Sequence, residues 1–269
     1  MNFQKIGAKP GLMMDDMRVS LLGAEMDQLT VASMLDFTAR AVVEKRQAVV
    51  ANHNLHSLYL YGREPQMRAF YATADRIEID SVPLILWGRL LGYPLSRQNR
   101  LTYLDFREAF WSRAVAEGWR VMHVGGKPGL EGPAADAIRQ RHPGLSLEAR
   151  HGYFKTDGEE NARVLKAIQD FAPDILLVGM GMPRQELWIQ ANREQLPPCV
   201  MFPVGAAFDY EAGAVYTPPR WTGQVGIEWL VRFLHDPKRL FTRYFVEPVF
   251  LVPAALRDLA SRRGRKSVN

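Results

Sequence analysis

The chain has 269 residues, 47% hydrophobic and 23% charged, with a formal net charge of +5 at pH 7. These values are ordinary for a soluble globular protein, and the length suits one large domain or a domain with an appendage. The single cysteine, Cys199, sits in an apolar segment. It excludes a disulfide framework or a CxxC metal site and points to a reducing, cytoplasmic setting. The opening residues, "MNFQKIGAKPGLMMDDMRV", lack an apolar core, so no export signal is expected.

In chain order, "RVSLLG" at 18–23 is predicted as the first strand and "TVASMLDFTARAVVEK" at 30–45 as a helix capped by Thr30. "QAVVA" and "RIEI" follow as strands, with a helix starting near Pro83. "LDFREAFWSRAVAEG" is helical, "RVMHVGG" a strand, "AADAIRQR" a helix and "LSLEA" a strand. "EENARVLKAIQDF", "DILLVG", "RQELWIQANRE" and "CVMFPVG" continue the alternation as helix, strand, helix and strand. Such alternation predicts an α/β, Rossmann-like, mostly parallel sheet with helices on both faces. Residues 1–213 form this core in our reading, and 214–269 a basic, amphipathic, helical C-terminal appendage. From Ala214 onward ten Lys or Arg face four Asp or Glu, a local balance of +6 that leaves the core near −1. This end calls for an acidic partner: anionic lipid, nucleic acid or phosphate. A solvated tail is the plain alternative for the last eight residues.

In open α/β sheets, ligands sit outside the carboxyl ends of the strands. Four turns there are chemically unusual: "ANHN" at 51–54, "DSVP" at 80–83, "GGKPG" at 125–129 and "GMGMPRQE" at 179–186. They are predicted to converge on one edge. Gly179 and Gly181 begin like a dinucleotide fingerprint, but the third glycine is missing. Pro183 suits the first position of a helix whose free N–H groups can take a phosphate, with Arg184 beside it. Gln185 then enters the pocket mouth as a neutral donor and acceptor. Lys127 can neutralise a phosphate where Gly125 and Gly126 let backbone approach, although the Walker A spacing is absent. Asp80 follows "RIEI" directly and is read as a general base, with capping of the next helix as the bland alternative. Asn52 and Asn54 can orient the sugar whose hydroxyl it deprotonates. Tyr153 can stack on a base, with His151 nearby. His53, His56, His123 and His151 show no metal-ligand spacing, so no catalytic metal is expected.

The ordered set "ADRIEIDSVPLILWGRLLG", "VGGKPG", "HGYF", "DILLVGMGMPRQELWI", "PVGAAFDYEAG" and "GIEWLVRFLHDPKRLFTRYF" resembles the WecG/TagA/CpsF family of bacterial glycosyltransferases, from about Arg18 to Phe245. The resemblance implies an inverting transfer, needing no metal or other cofactor, from a UDP-sugar to a polyprenyl-diphosphate-linked sugar at the inner membrane surface, in cell-surface polysaccharide synthesis. It matches Asp80 to the base, Arg100 to a substrate-side arginine and Gln185 to the pocket glutamine. Tyr153, Gly179, Gly181, Gly205 and Asp209 align with nucleotide-contacting segments. The family's active-site threonine falls at Ala51 or Asn52 and is not carried over. Its usual Asp-Gly is Asp80-Ser81 here, and a usual glycine is Tyr103; both departures lie on the acceptor side. Within the family the chain most resembles the xanthan-type glucosyltransferase, which implies a hexose such as glucose as cargo. N-acetylmannosamine or N-acetylmannosaminuronate is the alternative.

The basic end places Ile227, Leu230, Val231 and Leu234 on one helical face, interleaved with arginines. Residues 244–256 are too short, and too interrupted by Glu247, Pro248 and Pro253, to span a bilayer. In-plane association with an anionic membrane surface is expected, with a core-packing helix pair as the alternative. The resemblance adds a lid role that brings arginines to the active site, for which Arg232, Arg239 and Arg243 are the candidates to clamp a diphosphate. A homo-oligomer is compatible with the sequence. Two rivals stand beside this reading. A nicotinamide-dependent oxidoreductase shares the fold class but lacks the third glycine and the acidic residue about 20 positions on. A nucleic-acid-binding module would bind oligonucleotides with a steep salt slope.

Overall fold

The computed structural model describes residues 17–266; the expected lack of an export signal concerns residues outside that range. A hairpin of β1 (Arg18–Leu21) and β2 (Ala24–Asp27) leads into α1 (Val31–Val43) and β3 (Ala48–His53). Then come α2 (Leu55–Arg63), α3 (Pro65–Ala72), β4 (Arg76–Ile79), α4 (Val82–Leu91), α5 (Tyr103–Glu117), β5 (Arg120–Gly125) and α6 (Glu131–Arg141). The core continues through β6 (Ser146–Arg150), α7 (Gly158–Phe171), β7 (Ile175–Gly179), α8 (Arg184–Asn192), β8 (Val200–Pro203) and α9 (Ala207–Glu211). Helices α10 (Arg220–Val225), α11 (Glu228–His235), α12 (Pro237–Phe241) and α13 (Val252–Lys266) complete the described chain. A π-helical turn over Thr242–Val246 and a 3-10 turn over Glu247–Leu251 join the last two.

Strands β3 to β8 form one sheet in the order β4-β3-β8-β7-β5-β6, with every pair parallel. All five residues of β7 are buried, so "ILLVG" shows no polar alternation: both of its faces are covered. Leu176 belongs to the buried cluster that holds Leu58, Phe70, Leu165 and Trp188, from α2, α3, α7 and α8. Its neighbour Leu177 belongs to the other cluster, with Phe37, Phe110 and Ile138 from α1, α5 and α6. The two-residue period of the strand thus assigns successive leucines to the two helical layers.

The first strand departs from expectation. "RVSLLG" does not join the main sheet; β1 pairs antiparallel with β2 in a separate two-stranded sheet. Leu22 and Gly23 both have positive φ (54° and 82°), which folds the chain back within two residues. A leucine there gives no turn signal in the sequence. Asp27 ties the hairpin to the sheet: its carboxylate accepts from Ile77 N–H at 2.6 Å and from Arg18 Nε at 3.0 Å. Thr30 caps α1 through a capping box with Ser33, as predicted.

Candidate functional site

The carboxyl ends of β3, β4, β5, β7 and β8 make one rim, and the four unusual turns lie on it. Asp80 follows β4 directly, and its N–H donates to His53 O at 2.8 Å. Ser81, not Asp80, caps α4, accepting from Leu84 N–H at 3.4 Å. The Asp80 carboxylate is thereby left for other work. Its Oδ2 accepts from Asn54 Nδ2 at 3.2 Å, and burial raises its pKa from 3.8 to about 6, against the pull of Asn54, Arg232 and Arg100. Asn54 also caps α2 through Ser57 N–H, so it positions Asp80 rather than standing free for a sugar. Asn52 is likewise engaged, donating to Pro203 O at 2.9 Å across to β8.

Arg100 reaches the same corner because its segment bridges to the end of β4, where Leu101 N–H donates to Ile79 O at 2.9 Å. Its guanidinium bonds Asp105 at 2.7 Å and Glu228 at 3.2 Å. Burial opposes that charge, but the two carboxylates outweigh it and raise the Arg100 pKa. The fit against α10 is close: a Cβ on Gly223 would lie 2.7 Å from Arg100 Nη2. Tyr103, expected on the acceptor side, instead points into the core, donating to Glu211 at 2.8 Å and accepting from Trp111 Nε1 at 3.1 Å. That departure from the family pattern is absorbed by packing.

At the two-glycine turn and its neighbours the glycines are fixed first by backbone crowding. A Cβ on Gly179 would lie 2.6 Å from Gly205 O and 2.7 Å from His123 Nε2, and one on Gly125 would lie 2.4 Å from Gly179 O. Gln185 does not enter the pocket mouth. It is buried, its Oε1 accepting from both Gly181 N–H and Gly205 N–H at 3.1 Å, while its Nε2 donates to Glu186 at 2.8 Å. The amide therefore clasps two rim turns together, because a glutamine side chain is long enough to fold back onto its own helix start. Glu186, which the sequence reading passed over, is buried beside it, and burial raises its pKa from 4.5 to about 7.

Pro183 occupies the cap rather than the first helical position, and Gln185 N–H is already taken by Gly181 O at 3.0 Å. Arg184 donates to Phe154 O and lies over the Phe154 ring, tethering the loop that carries Tyr153. Tyr153 itself is 59% exposed. Asp209 faces Gly126 (3.5 Å from a Cβ placed there); burial raises its pKa against the pull of Lys127 and Arg239.

The C-terminal helices bring further cations. Arg232 lies 5.8 Å from the Tyr210 ring centroid and 3.8 Å from Glu228, and it exerts a Coulombic pull on Asp80. Arg243 joins them from the π-helical turn; burial, then the Arg232 charge, lowers its pKa, with Asp80 and Glu247 opposing. Arg239 is exposed and paired with Asp236 at 2.5 Å, nearer the Asp209 side. Three carboxylates hold these helices on the core. Glu228 bonds Arg100, Glu247 accepts from His56 at 2.6 Å, and Asp258 accepts from Leu22 N–H at 2.7 Å and Trp87 Nε1 at 2.9 Å. Glu228 and Asp258 were not singled out in the sequence, and Glu247 only as a break in an apolar run; an acid inside a basic stretch was the available signal.

From Asp80 to the two-glycine turn, β4 to β7, is three strand spacings, about 14 Å at the backbone. A model of the glycosyl transferase WecG/TagA/CpsF family matches residues 19–265. The chain belongs to this family. Among similar proteins are the N-acetylglucosaminyldiphosphoundecaprenol N-acetyl-beta-D-mannosaminyltransferases of Staphylococcus aureus strains MW2 and NCTC 8325 / PS 47. Each is 28% identical over 248 residues, covering 88% of this chain and 92% of the relative.

In this WecG/TagA/CpsF member the histidines do not cluster as ligands. His53 stacks on Tyr71 at 3.8 Å and His123 on Phe208 at 3.5 Å, and burial lowers both pKa values to about 3. Among the described residues no three His, Cys, Asp or Glu side chains form a group that could hold a metal. No helix among them is long and apolar enough to cross a membrane.

Proposed function

We propose that the protein transfers an N-acetylmannosaminyl residue, with inversion, from a UDP-sugar to N-acetylglucosamine carried on a polyprenyl diphosphate. The observation that carries this reading is Asp80: a rim carboxylate relieved of capping, held by Asn54, raised to a pKa of about 6 and reached by the Arg100, Arg232 and Arg243 charges. The matched relatives are named for N-acetylmannosaminyl transfer, which favours that cargo over the glucose implied by the xanthan-type resemblance.

In the proposed reaction, Asp80 takes the proton of the acceptor hydroxyl as its oxygen attacks the anomeric carbon. The bond from that carbon to the UDP oxygen breaks on the opposite face, and the electron pair goes to the diphosphate. Arg232 and Arg243 meet the developing charge; such a preorganised charge is worth roughly 3–4 kcal/mol in a site that excludes water. Tyr153, Asp209 and the Gly125, Gly179 and Gly205 turns hold the nucleotide half, and Arg239 stands at its outer edge. Residues 214–269 serve as lid and membrane contact. Exposed Trp221, Val225, Leu234, Val249, Phe250 and Leu256 support that role, alongside Lys238 and Arg257.

The test incubates the protein with UDP-N-acetylmannosamine or UDP-glucose and with polyprenyl-diphosphate-linked N-acetylglucosamine or glucose. Turnover with the N-acetylated pair is expected. Transfer of glucose alone refutes the cargo, and no consumption of either UDP-sugar refutes the transferase.

A further inference from the structure

Tyr210, in α9, lies within "PVGAAFDYEAG", a segment in which only Gly205 and Asp209 carry an expected role. Its phenol oxygen is buried and has no hydrogen-bond partner among the described residues. Tyr71 and Tyr103 are also buried, but each satisfies its hydroxyl at 2.8 Å, on Asn52 O and Glu211 respectively. Buried tyrosine hydroxyls normally find partners, so an orphan at a rim asks for a ligand.

The location narrows the ligand. Helix α9 follows β8, which lies between β3 on the Asp80 side and β7 on the nucleotide side. Asp209 turns toward Gly126, whereas the Tyr210 phenol lies within electrostatic reach of Arg232, Glu228, Tyr244 and Asp80. The Arg232 guanidinium covers its ring. The phenol therefore lies on the Asp80 and Arg232 side of the rim, and on the transferase reading the scissile sugar–phosphate bond belongs beside it.

We propose that Tyr210 contacts the donor, its hydroxyl donating a hydrogen bond to the diphosphate oxygen that receives the electron pair as the anomeric C–O bond breaks. This assignment rests on the transferase reading above. The phenol keeps its proton throughout; the acceptor proton goes to Asp80. Because charge grows on that oxygen as the bond breaks, the hydrogen bond strengthens along the reaction and acts on kcat more than on donor binding.

Tyr210→Phe removes only the hydroxyl and keeps the ring under Arg232. With UDP-N-acetylmannosamine and N-acetylglucosaminyl-diphospho-undecaprenol, kcat is expected to fall about 100-fold. The donor KM should stay within about threefold, as for an interaction made mainly in the transition state. By calorimetry UDP affinity should fall about tenfold while UMP affinity, lacking the terminal phosphate, is unchanged. An unchanged UDP-to-UMP ratio with near-wild-type kcat overturns the proposal. A rise in acceptor KM alone also overturns it, since the hydroxyl then serves the acceptor. A wild-type protein that binds UDP but transfers no sugar refutes the transferase reading, while the UDP-to-UMP ratio still judges Tyr210.

Discussion

Asp80→Asn separates the chemistry of the site from its stability in one variant. The folded pKa of Asp80 is raised from 3.8 to about 6, chiefly by burial. That shift of about 2 units corresponds to roughly 3 kcal/mol between protonation states. Asp80 keeps partial solvent contact, so about 1–2 kcal/mol is the fair expectation after screening. Its sign is opposite to that of a salt-bridged carboxylate. With the folded pKa above the unfolded value, the contribution is fully present below about pH 4 and lost as pH rises through about 6. The amide escapes that penalty, so Asp80→Asn should melt roughly 2–6 °C above wild type at pH 8, with the gap closing at pH 4. Transfer should move the other way. Wild-type kcat/KM should rise with pH through a midpoint near 6, and the variant should lose about 10²- to 10⁴-fold. Thermal melts at the two pH values and a pH–rate profile read both arms. A melting gap that ignores pH, or a variant within tenfold of wild-type turnover, refutes the reasoning.

Gly179→Ala should destabilise the fold by about 1–3 kcal/mol, because the new methyl meets Gly205 O at 2.6 Å and buried His123 at 2.7 Å. Denaturant unfolding checks it, and an unchanged midpoint would show that the rim turns relax freely. A chain ending at Gly213 should keep a cooperative unfolding transition, since both core clusters draw mainly on residues before that point, but should lose transfer with Arg232 and Arg243. Full activity in that chain removes the lid.

The parallel sheet was legible because strands buried on both faces are short unbroken apolar runs, and "DILLVG" and "RVMHVGG" have that form. Placement of the turns on one rim followed from the alternation alone. Side-chain direction did not. Gln185 carries the same letters whether it faces solvent or folds back onto Gly181 and Gly205, and only the packed rim selects between them. Asn54 likewise fits a sugar contact or a helix cap, and the adjoining Ser57 decides for the cap. The hairpin of β1 and β2 was missed because it depends on a leucine at positive φ. Residues such as Glu228 and Asp258 gain meaning only from partners more than 100 positions away.

Glu228, Glu247 and Asp258 fasten the last helices to the core at separated points: on Arg100, on His56 of α2, and on the hairpin with α4. A strap fixed at both ends can bow but cannot swing clear. Movement of the strap is then confined to the stretches between those fastenings, and the one from Glu228 to Glu247 holds Arg232 and Arg243. Under the proposed transfer, bowing of that stretch would withdraw both cations from the Asp80 corner at once, which ties substrate entry to charge neutralisation.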